Sequence, residues 1–408
     1  MLKAAGRALA VWLSVLLLCG ASPSTDPMAP PDGRVEAPRR VAETLRAAIP
    51  RVEVIDAGTL RDRGARDFGE ALQTLPGIQI LDLPDGRRRV IMDGWTARAL
   101  FCVNARPVIR GVEGEVDLGE LPFSLDEVLR IEIIRQPMGH IYGSQAEGGV
   151  INIVTRRLQA TGAGATVVVR ALENAPPAGQ ASAGASYAGE QGGVFGHGTV
   201  MTSPQVRHGV VVAPARRALG MMVGGAFRLH PRVLLRGDGD VRELRVDAGT
   251  LGERRTLRTT LNGEMLVKFS NGDALQVELR GGTVAGSRTV ADGPKDPRVW
   301  EQGAWLRYMG QPIGGHYVQT ELNVIGEFGG EGPGMSFTRQ RLRVGVMLAD
   351  TWQVNSRFAL EAAVRVETSD AFIPAAAPSL SVRYEPFRHL FVRGSVSAGY
   401  RYGGLLPN

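Results

Sequence analysis

The residue types that perform covalent or metal chemistry are scattered along this chain. Its six histidines form no His-Glu-x-x-His, and its two cysteines, Cys19 and Cys102, form no paired motif. Neither a Gly-x-Ser-x-Gly elbow nor a phosphate loop occurs. Arg236-Gly237-Asp238 spells an adhesion-like triplet, but such triplets arise by chance and this one sits in a strand-like segment. The expectation is a protein that is not an enzyme, with no catalytic residue, no metal and no cofactor. The most distinctive chemistry is carried by backbone and small residues, in the run Tyr142-Gly143-Ser144-Gln145-Ala146-Glu147-Gly148-Gly149-Val150-Ile151-Asn152-Ile153-Val154-Thr155. Adjacent glycines permit positive φ and close backbone approach. The β-branched residues after them read as a buried strand. Taken alone, this is a tight turn feeding a buried strand.

The same run resembles, nearly residue for residue, the closing motif of the plug domain of TonB-dependent outer-membrane transporters. Leu129-Arg130-Ile131-Glu132-Ile133-Ile134-Arg135-Gln136-Pro137 resembles the next-to-last element of that family. The resemblance implies a plug motif carried by Arg130, Glu132, Arg135, Tyr142, Gly143, Gly148, Gly149 and Asn152. Two departures stand out. Asp93-Gly94 occupies the place of the family's Arg-Gly, and Asn104-Ala105 the place of an Asp-Gly turn. The family's first plug arginine pairs with barrel carboxylates and helps lock the plug. Asp93 reverses that charge, which leaves Arg135 at the second arginine position and puts the lock in question. Ala105 tolerates a left-handed turn poorly compared with glycine.

Elements to position these residues are legible along the chain. Residues 1–21 read as a cleaved export signal: Lys3 and Arg7, then an apolar core from Ala8 to Leu18, then the small-residue site Cys19-Gly20-Ala21. Residues 22–45 are a proline-rich tether. Arg34-Val35-Glu36-Ala37-Pro38 lies where the family carries its TonB box, which adds as a strand to the periplasmic energy-coupling protein; a plain linker is the other reading. Residues 46–158 read as a compact α/β plug. Asp67 and Glu70 suggest a capping box, and Phe68, Leu72 and Leu75 share a helix face. Ser124 and Glu127 suggest a second capping box before a short helix that ends in Leu129-Arg130-Ile131.

From residue 159 to 408 the period becomes two. Leu275, Val277 and Leu279 alternate with Gln276, Glu278 and Arg280, and comparable alternation recurs to Tyr400. Short turns such as Asn271-Gly272 alternate with longer connections at Gly286–Arg298, Gly329–Gly334 and Thr368–Pro378, which is the rhythm of an antiparallel transmembrane β-barrel. Thirteen strands are expected, against about 22 in large plugged barrels. Together with the interior-type stretch Gly399–Asn408, this suggests a truncated barrel.

Composition fits. Net charge is +6 and pI about 9.7, but arginine is dispersed and no basic block exceeds Arg87-Arg88-Arg89, so no nucleic-acid partner is expected. The aromatic content of 6% is thin for barrel girdles. The family implies a monomer in the Gram-negative outer membrane, in contact with its lipid. It would bind an iron–siderophore or cobalamin-like ligand, and TonB would supply energy from the inner-membrane proton-motive force. The alternatives are a plug-containing binding or signalling module without transport, and a non-functional truncated gene product.

Overall fold

The computed structural model describes residues 34–37, 39–40, 43–44, 51–62, 65, 68–83, 87–93, 99–110, 116, 118, 121, 127–156, 162–172, 178–207, 210–247, 253–290, 293–330, 339–387 and 390–402. The export signal, Pro38, Asp67, Gly94, Ser124 and residues 403–408 lie outside them.

The first unit follows from alternating short apolar runs and turn residues. β1 (Arg34–Val35) and β2 (Glu43–Thr44) pair antiparallel. Next come β3 (Val52–Asp56), α1 (Ala57–Asp62), α2 (Phe68–Gln73) and the hairpin of β4 (Ile78–Asp82) with β5 (Arg88–Met92). β6 (Leu100–Val103), β7 (Arg106–Pro107), β8 (Val128–Ile134), α3 (Gly139–Tyr142) and β9 (Val150–Thr155) complete it. A five-stranded sheet runs in the order β3-β8-β9-β6-β7, with β6 parallel to β9.

Both faces of this sheet are covered, as a sheet with a parallel pair requires. One face packs Ile131, Ile133, Ile151 and Ile153 against Leu60, Phe68 and Leu72 of the helices. The other face packs Cys102, Ile134 and Val150 with Met347, Ala349 and Ala363 of the second unit. Every side chain of β9 is buried. At roughly 1.5–3 kcal/mol for each fully buried large apolar side chain, these two clusters hold the unit together and seat it.

The second unit is the period-two region. β10 (Gly162–Leu172), β11 (Ala178–Ala188), β12 (Gly192–Arg207), β13 (Val210–His230), β14 (Val233–Asp247), β15 (Glu253–Lys268) and β16 (Ala274–Val290) follow one another. A short β17 (Gly293–Lys295) lies off the main path and pairs with β16. Then come β18 (Arg298–Ile313), β19 (His316–Gly330), β20 (Arg339–Gln353), β21 (Phe358–Ser369), β22 (Phe372–Phe387) and β23 (Leu390–Ser397). The main path is thirteen strands, each antiparallel to the next in chain order. Inward residues are polar: Glu278, Arg307, Glu321 and Arg365 are almost fully buried against the plug. Outward residues are apolar, with Leu261 70% and Leu279 59% exposed, the polarity of a lipid-facing wall. The few aromatics gather near strand ends, as in Trp300 beside Phe328 and His316 stacked on Trp352.

Three expectations are corrected. Ser124–Glu127 does not introduce a helix over Leu129–Ile131, because Val128–Ile134 is β8, held on both edges by β3 and β9. Thr368–Pro378 is no long loop: β21 runs to Ser369 and β22 starts at Phe372, so the ladder extends nearly to the turn. The Gly286–Arg298 connection is shortened likewise, since β16 reaches Val290 and β17 folds back on it. In each case strand pairing outcompeted local turn or capping signals.

Candidate functional site

The closing run folds as its composition demands. Gly143 (φ 75°) and Gly149 (φ 106°) hold left-handed backbone. A side chain at Gly143 would meet Glu367 Oε2 at 2.6 Å, and one at Gly149 would strike the Ile134 carbonyl. The missing side chain at Gly149 lets β9 start close against β8, and the one at Gly143 leaves room for the wall residues Arg365 and Glu367.

Asn152 is fully buried and joins two devices. Its Oδ1 accepts the Ala105 N–H at 2.8 Å, and its Nδ2 donates to Glu132 Oε2 at 3.0 Å. Asn104 and Ala105 both adopt positive φ, 53° and 62°, forming the tight turn between β6 and β7. Asn104 Nδ2 donates to Thr155 Oγ1, and the Thr155 N–H donates back to Asn104 Oδ1. The unfavourable left-handed alanine is thus held by two residues of the closing run.

The turn aims Arg106 at the barrel wall, where it meets Asp238 at 2.7 Å, Glu264 at 3.0 Å and Glu278 at 3.2 Å. Arg40 reaches the same wall. Its Nε donates to the Ala105 carbonyl, and its two terminal nitrogens each lie 3.1 Å from a carboxylate, Glu278 and Glu321. Trp305 and Tyr142 present ring faces to it at 5.9 and 6.0 Å. Burial opposes the Arg40 charge, but the two carboxylates outweigh it and hold the guanidinium above its usual range. Arg39 donates to Glu361 and Thr351. Arg110 lies 3.5 Å from Glu327, and burial lowers it to about 10.

Sequence reasoning singled out neither Arg40 nor Arg106. The available signal was the row of inward carboxylates at Glu264, Glu278, Glu321 and Glu327, each followed by an apolar residue, Met265, Leu279, Leu322 and Phe328.

Arg135 is placed elsewhere. It pairs with Asp93 at 2.7 Å and Glu53 at 3.2 Å and donates to the Pro76 carbonyl, all within the plug. Asp93 gives Arg135 a partner within the plug. Asp93 itself has φ 56°.

Glu127, expected as a helix cap, instead contacts the barrel through Thr199 Oγ1 at 2.6 Å and through His197. Burial would raise its pKa, but His197 and Arg242 hold it below the usual carboxylate value. His140, in α3 against the wall, is pushed by burial down to about 4. Beyond β23 the chain crosses back onto the plug: the Gln145 N–H donates to the Tyr400 carbonyl, and the Tyr402 N–H to Ser144 Oγ.

The tether joins this assembly. Val35 and Ala37 are buried. The Glu36 and Ala37 N–H groups donate to the Glu132 carboxylate at 2.8–3.1 Å, and Tyr142 Oη donates to the Ala37 carbonyl at 2.7 Å. Arg130 Nε donates to Glu132 at 2.8 Å. Burial raises the Tyr142 phenol and pushes the neighbouring Cys102 thiol up to about 12, so both stay neutral. The resulting object is a small α/β domain pinned inside a curved sheet by buried charge pairs, with the N-terminal tether bound beneath it.

Residues 44–150 match the TonB-dependent receptor plug domain, and residues 235–408 match the TonB-dependent receptor-like β-barrel. The chain belongs to the TonB-dependent receptor family. Over 124 residues it is 34% identical to the iron-regulated outer membrane virulence protein of Vibrio cholerae, covering 29% of this chain and 19% of that protein. Over 126 residues it is 30% identical to the vitamin B12 transporter BtuB of Photobacterium profundum, covering 30% and 20%. The fold matches a crystal structure of the ferric enterobactin receptor PfeA of Pseudomonas aeruginosa with a TM-score of 0.72 at 17% identity, covering 87% of this chain and 62% of that one. The siderophore receptor PirA of Acinetobacter baumannii gives a TM-score of 0.71 at 13% identity, covering 87% and 61%. The aligned region is thus about a fifth of each curated relative. This is a family of receptors and transporters, not of enzymes.

Proposed function

We propose that this protein acts in outer-membrane uptake of a scarce, large nutrient of the iron–siderophore or cobalamin class. A TonB energy-coupling protein would drive it from the inner-membrane proton-motive force. The observation that carries the reading is the tether: the segment at the family's coupling position is tied into the plug, and the plug is tied to the wall. A pull on residues 34–37 is therefore carried along the chain to Arg40 and its barrel carboxylates, Glu278 and Glu321. Names of relatives that bind ferric enterobactin or carry vitamin B12 support the substrate class. Export through residues 1–21, with Ser22 as mature start, belongs to the same proposal.

The test is uptake of radiolabelled ferric siderophores and cobalamin by a receptor-deficient Gram-negative host expressing the protein. Deleting residues 33–39 should abolish uptake and leave ligand binding intact. Uptake that survives the deletion, or that persists without TonB, would refute the reading. Binding without any uptake would favour a receptor that signals.

A further inference from the structure

A cavity of about 40 Å³ lies in the seam between plug and wall. The plug lines it with Arg110 and Gln145, and the wall lines it with Arg280, Arg343 and Arg365. Two lining carboxylates are already engaged. Arg280 donates to Glu301, and Arg343 Nη1 donates to Glu367 at 3.2 Å.

Three buried nitrogens of this lining have no hydrogen-bond partner among the described residues: Gln145 Nε2, Arg343 Nε and Arg365 Nε. The last lies 3.5 Å from Glu367, a pairing by charge alone. All three are donors. No buried side-chain oxygen of the lining is left in the same condition. Buried donors without acceptors call for an occupant that accepts. Water would satisfy them but brings two O–H donors of its own, whereas an anion only accepts.

Charge points the same way. Arg110 makes a long contact to Glu327, at 3.5 Å, and Glu327 already accepts from Arg341 Nε and Arg343 Nη2. Burial draws Arg110 down to about 10; Glu327 opposes that, and the like charge of Arg343 adds to it. A plug cation and a wall cation thus repel across this part of the seam. Gln145 is held here in left-handed backbone, φ 85°, which is unfavourable for a residue with a side chain. Its N–H donates to the Tyr400 carbonyl, which fixes the turn and leaves the side-chain amide to the cavity.

We propose that this cavity is a binding site for a small inorganic anion of the halide class, which accepts from Gln145 and Arg343 and bridges the plug to the wall. Roughly 10–15 Å³ accommodates one water, so the space suits a monatomic ion and excludes the large nutrient of the uptake reading. The bound anion offsets the repulsion between Arg110 and Arg343 and adds charge-assisted hydrogen bonds to the seam. Plug docking then depends on which anion surrounds the protein.

The test heats the purified full chain, in detergent, in sodium chloride, sodium bromide or sodium gluconate at one ionic strength. Gluconate is too large for the cavity. Chloride and bromide should raise the unfolding midpoint over gluconate by roughly 1–3 °C and saturate with concentration. Gln145→Glu puts a carboxylate in the anion's place and should unfold at one temperature in all three salts. Arg110→Met removes the plug cation; it should lose the halide response and be no less stable than the parent in gluconate. Bromide anomalous scattering from crystals should place the ion beside Gln145 and Arg343.

A halide response that persists in both variants, or that grows without saturating, is general salt screening and would overturn the proposal. Bromide absent from this cavity would overturn it as well. If one variant fails to fold, the other variant and the bromide position still decide.

Discussion

Arg135 of the plug and Arg40 of the tether each have two carboxylate partners, yet they do opposite jobs. The Arg135 side chain is 26% exposed and its partners Asp93 and Glu53 are 45% and 35% exposed. The Arg40 side chain is 4% exposed and its partners Glu278 and Glu321 are 3% and 0% exposed. The first cluster closes on itself within one domain, in reach of water. The second bridges two domains in a place water hardly reaches. Similar ion pairs differ in consequence because a charge removed from a buried group is not replaced by solvent, whereas water replaces a lost partner at the surface.

The sharpest way to break the comparison is Arg40→Ala. It removes one cation from Glu278 and Glu321, which keep Arg106, Arg307 and Arg365, and should destabilise plug docking by about 2–3 kcal/mol, the scale of a buried charged hydrogen bond. Urea unfolding in detergent, followed with tryptophan fluorescence, would report it, Trp305 being beside Arg40. Glu321→Gln combined with Arg40→Ala should recover part of the loss; strict additivity would show that the two do not act as a pair.

His140 tests the same buried boundary with a neutral group. Its Nδ1 has no hydrogen-bond partner among the described residues, and burial depresses its pKa from 6.5 to about 4. A histidine held neutral in the fold is protonated more readily in the unfolded chain. Its contribution is therefore complete above about pH 6.5 and lost progressively as pH falls toward 4, to a limit of about 3 kcal/mol. Comparing the pH profile of stability in the parent and in His140→Gln isolates this effect from the carboxylates. Parallel profiles would mean that α3 lets water reach the ring.

The smallest effect is expected from Arg135→Ala. The exposed cluster should yield less than about 1 kcal/mol, and the loss should shrink further in high salt. A loss as large as that of Arg40 would mean that Arg135 braces the plug in a way its exposure does not suggest.

Much of the architecture was legible because it rests on local pattern. The closing run announced a glycine turn and buried strand through Gly148, Gly149 and Val150–Val154, and β9 is that strand. Alternation such as Glu321 with Leu322 and Asn323 with Val324 announced a two-faced wall, and a thirteen-strand meander is present. The lock was not legible in the same way. Asp93 signalled that the expected arginine was missing, but nothing local indicated its replacement. Arg40 stands 238 residues from Glu278 and 281 from Glu321, and only barrel register brings those carboxylates together. Glu127 shows the reverse error: a plausible local cap became a wall contact because β8 was already claimed by β3 and β9.

The sequence by itself determined the alternation of the wall strands, the glycine turn before β9, and which face of each wall strand would be polar, because side-chain periodicity and backbone sterics act within a few residues. Only the tertiary structure decided which arginine meets which carboxylate, and that the tether's backbone would be bound by Glu132. A buried charge is stabilised by whatever groups surround it in space, and those groups arrive from strands hundreds of residues apart.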